Sequence, residues 1–117
     1  MTTVRHFPLA EQTFQPYSGH PLERAAISRL IGTEDSQTMG AGLARFDACS
    51  ISWTVLYDEL IVVLEGRFRL RLGDRVVDAV PGDVIWVPEN TPLAYEGDGA
   101  TVFYALYPVD WQARQNA

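Results

Sequence analysis

Between Tyr57 and Gly99 the chain repeats one pattern of strand, turn, strand. Turn chemistry falls at Glu65-Gly66, Gly73-Asp74, Pro81-Gly82, Glu89-Asn90 and Gly97-Asp98-Gly99. The gaps between are strand length and rich in Val, Leu, Ile and Phe. Evenly spaced short strands punctuated by Gly, Pro and Asp predict an all-β sandwich or barrel. Function then has to be read from the side chains that point into that barrel.

The 117 residues suit one domain, and 47% hydrophobic with 21% charged residues is enough for one core. The formal net charge is -6, and every basic residue is Arg. That balance argues against a nucleic-acid or anionic-membrane partner, because either needs a basic face. The absence of Lys excludes a Schiff-base lysine and a phosphate-loop lysine. Cys49 is the only cysteine, so no internal disulfide forms, which fits a reducing cytoplasm. The stretch MTTVRHFPLAEQ lacks a continuous apolar core, so no signal peptide is expected and the expected location is cytoplasmic. The longest aliphatic run, Leu60 to Leu64, is far too short to span a bilayer.

The expected organisation is a single domain: an arm over 1–23, a barrel over 24–108 and a terminal segment over 109–117. Pro8, Pro16, Pro21 and Gly19 disfavour a helix in the arm, and Val4, Phe7, Phe14 and Tyr17 suggest that it packs on something. RAAISRLIG, from Arg24, has a helical reading, but its β context and Gly32 favour a strand. A polar loop follows over 33–42. Leu43 to Cys49 and Ile51 to Leu56 read as two more strands, with Asp47 near the turn. VDWQARQ reads as a short helix or arm anchored by Trp111. Leu60 to Leu64 is apolar on both strand faces, so both should be covered, one by a second sheet and the other by the arm or a partner subunit. This run and the aromatic arm lead us to expect a homodimer. Arg67 to Leu72 alternates, with Phe68, Leu70 and Leu72 one way and three arginines the other. That pattern reads as a solvated face paired with carboxylates, ahead of an anion site.

The motifs resemble the cupin superfamily over roughly Trp53 to Gly99. Glu59 and Gly66, within ELIVVLEG, have the separation of the glutamate and glycine in the first cupin motif. Gly82 and Pro88, within PGDVIWVP, match the second. The resemblance implies a double-stranded β-helix, or jelly-roll barrel. The histidines that usually hold a cupin metal would fall just before Tyr57 and near Leu93, and none stands there. Of the four usual ligands only Glu59 remains. WTVLYDELIVVLEG, PGDVIWVP and YALYPVDW resemble more closely the ethanolamine-utilisation Q-type (EutQ-like) cupins, which also lack the histidine set. That group is associated with ethanolamine catabolism, and acetate kinase activity has been attributed to some members. The chain looks like the cupin domain alone, without the N-terminal extension some members carry.

If Glu59 points inward, as the resemblance implies, strand alternation puts Tyr57, Ile61 and Val63 on the same face. A carboxyl in an apolar barrel has a raised pKa and can act as a general acid or base near neutral pH. We therefore take Glu59 and Tyr57 as candidate catalytic residues, with Tyr57 or a water as the partner of Glu59. Trp53, Trp86, Tyr95 and Tyr104, with Phe103, are candidate walls of a ligand cavity. A structural role for Glu59, bonded to a neighbouring strand or to Arg45, stays open. Trp86 and Phe103 read more readily as core. Asp58 reads as outward, and Cys49 as a small buried hydrophobe. His6 and His20 lie in the arm, away from the motifs. No stoichiometric metal and no cofactor are expected. Two functions follow: a metal-independent cupin that binds or acts on a small molecule, or a non-catalytic dimeric accessory protein. Phosphoryl transfer rests on family likeness alone. An open, polar cavity would favour the first, and a barrel filled by Trp and Phe the second.

Overall fold

Two long strands, β5 (Asp58–Leu72) and β8 (Pro92–Tyr107), form the spine of the protein. The structure is a computed structural model and describes residues 3–115. β5 and β8 pair antiparallel from Asp58↔Tyr107 to Arg71↔Ala94. Each shares its other edge between two partners. β5 pairs β7 (Val84–Val87) through its first half and β6 (Arg75–Ala79) through its second. β8 pairs β4 (Cys49–Thr54) through its first half and β3 (Gly40–Phe46) through its second. β2 (Ala25–Ile31) extends β3, and β1 (Gln15–Pro16) extends β2. The result is two sheets joined through β5 and β8, the jelly-roll barrel expected from the motifs. The segment RAAISRLIG is indeed a strand, and VDWQARQ holds a short helix, α1 (Trp111–Gln115). No helix among the described residues is long and apolar enough to cross a membrane.

The sequence reading put turns at Glu65-Gly66 and at Gly97-Asp98-Gly99. Both are bends inside continuous strands. The β5–β8 register slips on either side of Glu65, and Gly66 and Gly99 have φ of 71° and 56°. A bulge of this kind lets a strand leave one sheet and enter the other without ending. Gly73-Asp74, Pro81-Gly82 and Glu89-Asn90 are true turns.

The inward residues of the two sheets close one core. Phe46 of β3 lies against Phe68 of β5 and Tyr95 of β8, with ring centroids 5.6 and 5.5 Å apart. Phe68, Ile61, Leu70 and Val63 are fully buried, each worth about 1.5–3 kcal/mol of transfer free energy. Arg67, Arg69 and Arg71 face outward and bond Asp78, Asp98 and Glu96 at 3.0, 2.8 and 3.0 Å. These exposed pairs define the solvated face and add little stability each. Cys49 is half-buried, not buried, and its thiol donates to the Arg24 carbonyl at 3.1 Å. Asp58 accepts the Glu89 N–H at 2.9 Å and so pins the turn after β7.

Candidate functional site

Cross-strand register sets which side chains meet inside the barrel. Glu59 pairs with Leu106 and Val87, Ile61 with Tyr104 and Ile85, and Val63 with Val102. On β3 the inward positions are Gly42, Ala44 and Phe46. The space over Gly42 is taken by the Tyr104 phenol, and Ala44 carries only a methyl group. An open chamber of about 160 Å³ lies over Ala44. Tyr17 of the arm and Trp111 of α1 complete its wall. Trp111 packs edge-on against Tyr57 and Trp53, with centroids 5.1 and 6.0 Å apart.

Glu59 is 4% exposed and faces this chamber. Its Oε1 accepts the Tyr95 hydroxyl at 2.7 Å. Tyr95 reaches it from the other sheet, so the bond spans the barrel. Burial pushes the Glu59 carboxyl up to about 7, against the lowering effect of the Tyr95 bond. Oε2 has no protein partner among the described residues, yet it is not sealed off, so it is the oxygen open to the chamber. Burial, and then the charge of Glu59, hold the Tyr57 and Tyr95 phenols well above their ordinary range. The Trp53 Nε1–H is enclosed and without a hydrogen-bond partner among the described residues. The chamber floor therefore offers a carboxyl that can hold or release a proton near neutrality. Beside it stand phenols held neutral by burial.

Of the residues expected at the site, Glu59, Tyr57, Trp53, Tyr95 and Tyr104 all line the chamber. Trp86 does not. The register Glu59↔Val87 turns Val87 inward, so Trp86 faces out and is 60% exposed. Phe103 also faces away, opposite Val62 and Leu43. The partner of Glu59 is Tyr95, not the expected Tyr57. Arg45 is no partner either, because its guanidinium lies 3.9 Å over the Phe14 ring. Sequence reasoning missed Arg29 and Ala44. Strand alternation from Ile27 carries the signal for Arg29.

Neither His6 nor His20 lines the chamber. Among the described residues no three His, Cys, Asp or Glu side chains stand together. Around Glu59 the available groups are an indole N–H, which cannot ligate, and phenols held far from ionisation. This donor set does not fit the metal that the cupin resemblance implies, since zinc and iron want three or four N, S or O ligands.

Residues 10–113 match the family described as ethanolamine utilisation protein EutQ. A relative named acetate kinase EutQ, from Clostridioides difficile, is 30% identical over 100 residues, which are 85% of this chain and 63% of that protein. Together with relatives of the same name from Salmonella typhimurium and Escherichia coli, the curated relatives are spanned over 43–63% of their length. Among solved structures, a putative ethanolamine utilization protein Q from Salmonella typhimurium LT2 superposes with a TM-score of 0.73 at 26% identity, over 82% of this chain and 79% of that one. An RmlC-like cupin from Shewanella frigidimarina superposes at 0.69 with 16% identity, over 92% and 95%, which speaks to the fold alone.

Proposed function

We infer that this chain, which belongs to the ethanolamine utilisation protein EutQ family, is a metal-independent small-molecule cupin whose ligand exchanges a proton with Glu59. The observation that carries this reading is the buried Glu59–Tyr95 pair, 2.7 Å apart, at the floor of an open chamber. An unpartnered carboxyl oxygen in such a place is costly to bury unless it is protonated or occupied. A carboxyl near 7 can serve as acid or base at neutral pH. The chamber is open and partly polar, which favours this reading over a purely structural accessory role.

The acetate kinase name belongs to relatives that this chain spans only in part. The chamber lining has one cationic side chain, Arg29, and its roughly 160 Å³ leave too little room for a nucleoside triphosphate. Phosphoryl transfer needs several cationic contacts to the phosphates, and we do not extend it to this barrel.

Ligand-observed NMR against a panel of small aldehydes, amino alcohols and carboxylates tests the reading, with protein dialysed against EDTA. Hits should survive the chelator, vanish in Ala44→Leu, whose added isopropyl group fills the chamber, and weaken at least tenfold in Glu59→Gln. Hits unmoved by Ala44→Leu, or restored only by added metal, would overturn it.

A homodimer is part of the same proposal. Trp86, Leu60 and Ala105 form one outward row across β7, β5 and β8, and Val84, Val62 and Phe103 form the next. Trp86 and Val84 are each 60% exposed and Tyr107 53%. A continuous apolar stripe on a sheet face supports burial against a second copy. Light scattering at micromolar concentration should give twice the chain mass, and Trp86→Asp should halve it. A monomer mass for the wild-type protein counts against the dimer.

A further inference from the structure

We propose that the chamber takes a monoanionic, carboxylate-bearing ligand whose acid group docks on Arg29 at the mouth and whose other end meets Glu59. This rests on the small-molecule reading above and names the chemistry of that ligand.

Arg29 lies on β2 two residues after Ile27, and both line the chamber. Across the sheet it stands in one row with Gly42 and Tyr104. A side chain at Gly42 would collide with the Tyr104 hydroxyl, so glycine leaves the phenol its place beside the guanidinium. The β2–β3 register slips between Arg29 and Ile31. A bulge at this point re-aims a side chain, as bulges beside binding sites do. Arg29 also borders an outer vestibule with Tyr104, Leu106 and Trp111, so its guanidinium stands where the chamber opens.

The charge on Arg29 is unspent. Among the described residues Arg5, Arg67, Arg69, Arg71 and Arg114 are each paired with a carboxylate, whereas Arg24, Arg29, Arg45 and Arg75 are not, and of these four only Arg29 lines the chamber. Two acids share its vestibule, Glu34 and Asp35. Asp35 is held by Arg5 at 2.6 Å, and Glu34 is not within ion-pairing distance of Arg29. The phenols of Tyr17 and Tyr104 line the chamber with Arg29. Burial raises both, and the guanidinium pulls against that rise. Arg29 has no such effect on Glu59. The chamber thus has a cationic pole at its mouth and a proton-bearing pole at its floor.

A guanidinium offers a planar pair of donors that matches a carboxylate. One arginine in a chain of net charge -6 neutralises one negative charge and leaves a dianion underpaid. A dry cavity of about 150 Å³ holds benzene, so this chamber suits a ligand of about six to ten non-hydrogen atoms. Benzoate and benzamide differ only in the group that would meet Arg29 and serve as probes.

Titration at pH 6 and low salt, where benzoate is ionised, decides the matter. The Arg29 side chain is itself exposed, so the wild-type protein should bind benzoate about threefold to fivefold tighter than benzamide. Arg29→Gln should erase that preference and leave benzamide binding and the melting temperature unchanged. If Ala44→Leu abolishes binding but benzamide binds as well as benzoate, the chamber stands and the anion assignment falls. The assignment also falls if Arg29→Gln weakens both probes equally. If neither probe binds, the assignment falls while the panel screen still decides the small-molecule reading; if both bind and Ala44→Leu changes nothing, the small-molecule reading fails and takes this proposal with it.

Discussion

Replacing Glu59 with glutamine should raise the melting temperature by about 10 °C at pH 8 and by only about 3 °C at pH 5. The folded chain holds the Glu59 proton up to about pH 7, against 4.5 for an ordinary glutamate. Below about pH 4.5 both folded and unfolded chains are protonated, and the stability associated with this group is fully present. As pH rises the unfolded chain releases its proton first. Stability therefore declines across that window and is lost once the folded carboxyl ionises near pH 7. At 1.36 kcal/mol per unit, the total approaches about 3 kcal/mol. Glutamine keeps the acceptor for the Tyr95 hydroxyl and never ionises, so the variant escapes the loss. The ion-paired acids Asp35, Asp78, Glu96 and Asp98 have lowered values and titrate below this window in both proteins. They cancel in the difference between variant and wild type. Thermal melts from pH 5 to pH 8 make the comparison. A difference that stays flat with pH would mean that the wild-type carboxyl is already ionised in the fold, and the proton-exchange reading would lose its basis. The same substitution should abolish acid–base function while stabilising the protein, the signature of a site that sacrifices stability for chemistry.

The inward direction of Glu59 was legible because its spacing to Gly66 resembles that of the cupin glutamate, and strand alternation then placed Ile61 and Val63 on the same face. So was the outward arginine row, because Arg67, Arg69 and Arg71 alternate with residues that are buried. The partner of Glu59 was not legible. Tyr95 lies 36 residues away on another strand, and no local spacing reports which phenol crosses the barrel. Trp86 failed for a different reason. A strand of four residues has few alternation cues, and a shift of one residue turns every side chain over. Gly66 and Gly99 were read as turns because a left-handed glycine serves a turn and a bulge alike. Only the continuous β5–β8 pairing separates the two.

That distinction predicts the largest single effect in the fold. Gly66→Ala should cost about 4 kcal/mol or more and leave little soluble protein, whereas Gly73→Ala should cost about 1 kcal/mol. Both glycines are left-handed, with φ of 71° and 67°. An alanine at either position bears the same conformational penalty, about 1–2 kcal/mol. The surroundings differ. A Cβ at Gly73 would meet nothing within 4 Å. A Cβ at Gly66 would sit 2.5 Å from the Gly99 carbonyl carbon and 2.7 Å from the Asp98 oxygen, and closer still to the Gly99 oxygen. These are backbone atoms of the paired strand, so no rotamer change relieves the contact. Relief requires β5 and β8 to separate where Glu65 pairs Thr101 and Arg67 pairs Asp98. This corner carries both strands from one sheet to the other and so sets the distance between the sheets. The Tyr95–Glu59 bond spans that distance, because Glu59 lies before the corner on β5 and Tyr95 before it on β8. Whatever Gly66→Ala protein folds should therefore also lose the pH-dependent stability of Glu59. Urea melts of the two variants give the comparison. Equal losses for Gly66→Ala and Gly73→Ala would show that the corner has slack, and the tight coupling between bulge and chamber would have to be abandoned.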